Sequence, residues 1–197
     1  MAQLPTTTRR DEIVAGAADL FARKGIAATT VRDIGEAVGM LSGSLYHYFT
    51  SKEEIVDAII SSYLDDLRLR YRDAIANIDD PIEQLRALIR ASFHSVAEYP
   101  AACEIYQKDF GYLTQLPRFA YMKRTASETQ KIWMETIQAG IDRGLFVKEL
   151  DPVIVYRFMR DAIWMSVRWQ RPAGHYSVDE VADECCALFL DGYLHAH

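Results

Sequence analysis

Ser42, Gly43, Ser44, Tyr46, His47 and Tyr48 fall within the seven residues SGSLYHY. Small side chains at 42–44 let a backbone approach a partner closely. Hydroxyl, phenol and imidazole groups donate to phosphate oxygens or reach the edges of bases. Leu45 and Phe49 lie one helical turn apart and are expected in the core, packed on Ile34 and Val38. That leaves Gly43, Ser44 and His47 on the outer face, flanked by Tyr46 and Tyr48. Thr30 and Arg32 precede this segment and Lys52 follows it. The free amides expected at a helix start beside Lys52 would suit a phosphate. A second set of chemically capable residues lies in VYRFMRDAIWMSVRWQRP, residues 155–172. On a helical projection Arg157, Arg160, Asp161, Trp164, Arg168 and Arg171 share a face about 100° wide, and the other faces are apolar. Asp161 can serve Arg157 four residues away. The remaining guanidiniums need other anions: solvated positions, salt bridges between subunits, or an anionic ligand held by Arg160 with Trp164 as its wall.

The elements around the first set have clear boundaries. Thr30 is placed to cap a helix, with Asp33 in a capping-box position, and Val31, Ile34 and Val38 form its apolar stripe. Gly39 follows the last periodic residue, where a left-handed backbone makes a turn. Ser42 is placed to cap a second short helix, and Ser51 with Glu54 a third. Two short helices joined by a glycine turn form a helix-turn-helix unit, which pushes its second helix into the major groove of DNA.

Similar signals recur along the chain. Thr8 with Asp11 opens a helix whose buried stripe is Ile13, Ala17, Leu20 and Phe21, and Gly25 ends it. The helix from Ser51 runs to about Ala76. Asp80-Pro81 and Asp151-Pro152 each combine a cap with proline at the first helical position. Further helices are expected over 101–113 and from Pro117 to Arg143, closed by Gly144. The Asp151 helix runs to about Gln170, and a last helix starts at Ser177 with Val181, Leu188 and Phe189 on its apolar side. The reading is all-α with nine helices: an N-terminal helix-turn-helix domain over 1–53, and a second helical domain over 54–197.

Composition narrows the function classes. The chain has 197 residues, half of them apolar and a quarter charged, as in ordinary soluble proteins. No apolar run is long enough to span a bilayer, and the first residues lack a signal-peptide core, so a cytoplasmic location is expected. Cys103, Cys185 and Cys186 have no metal-type spacing and read as free thiols. The net charge is −6, but residues 1–52 carry six Lys/Arg against five Asp/Glu. The acidic surplus therefore lies away from the proposed DNA face. No Gly-rich phosphate loop, nucleophile elbow or HExxH appears, and the five histidines are scattered. An enzyme is not expected, and no cofactor or metal is implied.

TTVRDIGEAVGMLSGSLYHYFTSKEEIVDAI resembles the DNA-binding domain of TetR-type transcriptional regulators, and DEIVAGAADLFARKGIAATT resembles that family's first helix. The resemblance implies an all-helical homodimer, usually a repressor, which binds double-stranded operator DNA and is released by a small molecule. It also implies that 54–197 is an effector-binding and dimerisation domain, whose last two helices form the dimer's four-helix interface. LPRFAYM and YRFMRDAIWMSVRWQRP extend the similarity to a TetR-type subgroup controlling degradation of the last steroid rings of cholesterol in actinobacteria. That implies a coenzyme A thioester of a bicyclic steroid remnant as effector. Arg157, Arg160 and Arg168 would then face phosphates with Trp164 as an apolar or stacking wall, and aromatic and methionine residues such as Tyr106, Phe110 and Trp133 would face fused rings. The alternative is a TetR-type regulator answering to a fatty acyl-CoA or another hydrophobic effector.

Overall fold

The computed structural model describes residues 8–166 and 176–191. Among these it contains nine α-helices and no strand: α1 (Arg9–Lys24), α2 (Val31–Ala37), α3 (Ser42–Leu45), α4 (Lys52–Ile75), α5 (Pro81–Glu98), α6 (Pro100–Leu113), α7 (Tyr121–Asp142), α8 (Pro152–Met165) and α9 (Val178–Cys186). A 3₁₀ turn (Pro117–Phe119) precedes α7, and a π turn (Ala187–Asp191) continues α9.

The caps explain most of the boundaries. Thr8 with Asp11, Thr30 with Asp33, and Ser177 with Glu180 form reciprocal capping boxes at α1, α2 and α9. Each satisfies two amides that the first turn leaves unpaired. Asp80 and Asp151 cap α5 and α8, with a proline at the start of each helix. Gly25, Gly39 and Gly144 have positive φ at the turns that end their segments.

The chain divides into two compact units: Met1–Tyr63 with Ala101–Ala120, and Leu64–Pro100 with Tyr121–His197. In the first, Ile13, Phe21, Ile34, Leu45, Phe49, Ile55 and Phe119 are buried. Helix α6 belongs to this unit. Its Lys108 ammonium donates to the Ala22 carbonyl near the end of α1 at 3.1 Å, and Arg118 pairs with Asp57 of α4 at 3.2 Å. In the second unit α5 packs against α7, α8 and α9. Leu85, Leu88, Ile89, Phe93, Trp133, Ile137, Met159 and Ala182 are buried there. His94 shares a 2.9 Å hydrogen bond with Asp179 and Arg90 pairs with Asp183, so a hydrogen bond and an ion pair join α5 to α9.

Three elements differ from the sequence expectations. The helix expected from Pro117 starts only at Tyr121; the register breaks at Ala120, where the chain leaves the first unit for the second. The helix expected over Ser42–Tyr48 is α-helical only to Leu45. Beyond it, Tyr48 N–H donates to the Leu45 carbonyl at 2.9 Å, the tighter i−3 bond that often finishes a short helix. At α9 and the π turn that continues it the buried residues include Ala182, Cys185, Cys186 and Leu190, whereas Leu188, expected on the apolar side, is 72% exposed. The expected reach of α8 to Gln170 lies outside the described residues, as does Arg168.

Candidate nucleic-acid interface and arginine–aromatic cluster

Helices α2 and α3 are held together by backbone geometry that glycine permits. A Cβ added at Gly35 would lie 2.8 Å from the Met40 carbonyl oxygen. Met40 N–H donates to the Gly35 carbonyl at 2.8 Å, which closes the turn, and Gly39 has a φ of 65°. Leu45 and Phe49 are buried at 1% and 3% exposure, while Tyr46, His47 and Tyr48 between them are exposed. Gly43 is also exposed and faces open space, and Ser42 and Ser44 are half-buried. Alternation between a buried turn and an exposed triplet thus presents donors outward on a short, fixed platform.

Several neighbours of this platform take roles different from those expected. Ser42 does not cap α3; Leu41 occupies the N-cap and makes no side-chain bond. The Thr30 hydroxyl donates to the Asp33 carboxylate at 2.8 Å, so it is committed to the cap of α2. Hydrogen bonds from Thr30 and Lys24 hold the Asp33 carboxyl at about 2, well below its ordinary 3.8. Arg32 is exposed and pairs with Glu36 one turn on at 2.9 Å. Lys52 turns inward and donates to the carbonyls of Ile26 and Thr29 at 2.7 and 2.8 Å. Its ammonium therefore clamps the α1–α2 loop instead of standing free for a phosphate. At the same helix start Ser51 accepts from Glu54 N–H at 3.2 Å, and the Glu54 carboxylate accepts from the Thr50 amide and hydroxyl at 2.7 and 2.6 Å. The chain thus supplies part of the anion expected there.

Two arginines not singled out from the sequence brace this platform. The Arg9 guanidinium donates to the Val38 carbonyl, the C-cap of α2, at 2.8 Å. Arg10 stacks over the Phe49 ring at 4.5 Å. Both sit in the first turn of α1, and the doublet Arg9-Arg10 was the only signal available.

The ligand candidates fall into separate groups. In the second unit, the Arg160 guanidinium lies 5.6 Å from the Tyr156 ring centroid and 5.8 Å from that of Trp164. Trp133 packs on Tyr156 at 6.0 Å and edge-on to Tyr71 at 5.9 Å. Ser92 Oγ donates to the Leu88 carbonyl, so its 2.7 Å contact with Tyr71 is a bond donated by the phenol. Burial pushes the Tyr156 phenol upward, and the adjacent Arg160 charge opposes that shift. Asp161 pairs with Arg160 at 2.8 Å rather than with Arg157, which is exposed. Tyr106 and Phe110 belong to the first unit, where Tyr106 meets Tyr63 and Phe110 edge-on at 6.1 and 5.2 Å. Trp133, Arg160 and Trp164 are thus brought together through Tyr156, which sequence reading passed over although it lies one turn before Arg160. A small apolar cavity lined by Leu85, Ile137, Phe146 and Met159 among others includes none of the expected ligand residues.

Residues 13–59 match the model of bacterial regulatory proteins of the tetR family, and residues 78–193 match a tetracyclin repressor-like C-terminal domain. The chain belongs to the TetR family. It is 43% identical over 185 residues to the HTH-type transcriptional repressor KstR2 of Mycobacterium tuberculosis (strain ATCC 25618 / H37Rv), covering 94% of this chain and 92% of that protein. KstR2 of Rhodococcus jostii (strain RHA1) is 42% identical, covering 96% and 93%. The solved structure of the ketosteroid transcriptional regulator KstR2 of M. tuberculosis superimposes with a TM-score of 0.92 at 41% identity, covering 98% of this chain and 97% of that one. This TetR-family chain is therefore a transcriptional repressor of the KstR2 type and not an enzyme. Its exposed Tyr46–Tyr48 platform lies within the region matched by the tetR-family model. No helix among the described residues is long and apolar enough to cross a membrane.

Proposed function

We propose that this repressor binds its operator as a homodimer and is released by a coenzyme A thioester of a steroid-ring degradation intermediate. The observation that carries the effector reading is Arg160 held between the rings of Tyr156 and Trp164, with Trp133 against Tyr156. A guanidinium recognises phosphate bidentately, and its aromatic neighbours supply flat apolar walls for fused rings. The likeness to KstR2, described as a ketosteroid regulator, favours a steroid-derived acyl group over a fatty one.

The homodimer reading rests on α8 and α9. Ile154, Phe158 and Met165 are exposed at 51%, 62% and 40%, and Leu188 at 72%. Residues 154, 158 and 165 recur on one helical face, which gives an apolar stripe that a second copy would cover. In the dimer, each Ser42–Tyr48 segment enters one half-site, and the spacing of the two segments must match about one turn of DNA. An effector releases DNA by binding more tightly to a conformer with another spacing.

Titration calorimetry with the coenzyme A thioester of a bicyclic steroid remnant, alongside palmitoyl-coenzyme A, tests the effector. Tight binding of the steroid thioester, weakened roughly ten-fold or more by Arg160→Ala, is expected, since charge-assisted contacts contribute about 1.5–3 kcal/mol. Preference for palmitoyl-coenzyme A favours the fatty acyl alternative. An identical titration by the variant removes Arg160 from the site.

A further inference from the structure

Among the described residues Leu41 is the most exposed large apolar side chain, at 81%. A lone exposed leucine is ordinary on a protein surface; its position makes this one informative. Leu41 is the N-cap of α3, its backbone extended at φ −68° and ψ 139°, and its carbonyl accepts from Ser44 N–H at 2.9 Å. The backbone is thus fixed while the isobutyl group stands in solvent. Gly43, Tyr46, His47 and Tyr48 of the same segment are exposed too, and a methyl group built on Gly43 meets nothing within 4 Å.

We infer that Leu41 reads a thymine in each operator half-site by packing its isobutyl group against the 5-methyl of that base. This rests on operator binding by the helix-turn-helix and is independent of the effector's identity. In such units the N-terminal end of the second helix meets base edges. The major-groove edges of the four bases are dominated by hydrogen-bond donors and acceptors, and thymine alone carries a methyl group there. Leucine offers neither donor nor acceptor. Over any other base edge it strips water from a polar atom and returns nothing. Over thymine it buries apolar surface on both partners. Ser42 and Ser44, by contrast, carry hydroxyls that accept or donate and discriminate poorly among bases. Leu41 is therefore a specificity-determining residue.

The test uses the full-length protein and methyl deletion on the DNA. Wild-type protein selects duplexes from a randomised library, and the selected duplex is resynthesised with deoxyuridine replacing each thymidine in turn. Affinities are measured by fluorescence anisotropy for wild type and Leu41→Ala. Replacement in one half-site is expected to weaken the wild type about four-fold, the effect of one buried methyl, and replacement in both half-sites about fifteen-fold. The same replacement leaves Leu41→Ala unaffected. The variant retains the wild-type circular dichroism spectrum, since the residue it alters is exposed. If Leu41→Ala loses affinity equally on thymidine and deoxyuridine duplexes, or if no thymine methyl is sensed by wild type, the assignment is overturned while operator binding stands. If the wild type selects no sequence at all, operator binding itself is overturned and the assignment with it.

Discussion

Tyr46 and His47 are exposed between the buried anchors Leu45 and Phe49, so removing their side chains takes nothing from the core. Tyr46→Ala and His47→Ala are each expected to weaken operator binding by about 1–3 kcal/mol, or roughly five- to 150-fold, with an unchanged thermal unfolding midpoint. Anisotropy and calorimetric melting on the same samples check both halves of this statement. Lys52 behaves in the opposite way. Two of its three ammonium hydrogens hold the carbonyls of Ile26 and Thr29. Lys52→Ala is expected to destabilise the fold by about 1.5–3 kcal/mol, as for hydrogen bonds made by a charged group. The slope of log affinity against log salt should stay unchanged, because no phosphate contact has been lost. A slope smaller by about one would instead mark Lys52 as a phosphate ligand.

At the scale of elements, α2 depends on its N-terminal box. Thr30→Ala removes the cap of a seven-residue helix and is expected to cost about 1 kcal/mol, measured by urea unfolding. Asp33 adds a pH dependence. Its folded carboxyl titrates at about 2 against 3.8 for the free group. The folded state therefore binds fewer protons than the unfolded state between those values. The contribution is complete above about 4 and is lost as the pH falls through 2. Thermal melts across pH 2–5 should show this decline, and Asp33→Asn should flatten it. Arg9 and Arg10 act on the same element from α1, through the Val38 carbonyl and the Phe49 ring. Placement of the exposed triplet thus depends on contacts between residues 29 and 39 positions apart along the chain, which no local pattern reveals.

At the scale of the whole molecule, operator recognition by two half-sites requires two copies. The exposed stripe Ile154, Phe158 and Met165 on α8 is the surface proposed to join them. Phe158→Glu places a charge within that stripe and is expected to leave the protomer folded but monomeric in sedimentation velocity. Operator affinity should then fall by at least a hundred-fold, because the second half-site no longer gains from an effective concentration in the millimolar range. A variant that remains dimeric would move the interface elsewhere. Coupling between effector and DNA also belongs to this scale. Helix α6 is tied to α1 by Lys108, and the following turn to α4 by Arg118, so the compact unit containing the helix-turn-helix includes residues 101–120, beyond the expected domain limit.

The sequence by itself determined the helical class, the capping boxes at Thr8, Thr30 and Ser177, the turn at Gly39 and the exposure of Tyr46 and His47. Each is a local property, set by hydrogen bonds and periodicity within about one or two turns of helix. Only the tertiary structure decided the fate of Lys52, the Arg9 and Arg10 braces, the assembly of Trp133 with Tyr156, Arg160 and Trp164, and the exposure of Leu41. Long cationic side chains choose among carbonyls, carboxylates and ring faces that distant segments bring within reach. The sequence names the donor, whereas packing selects its acceptor.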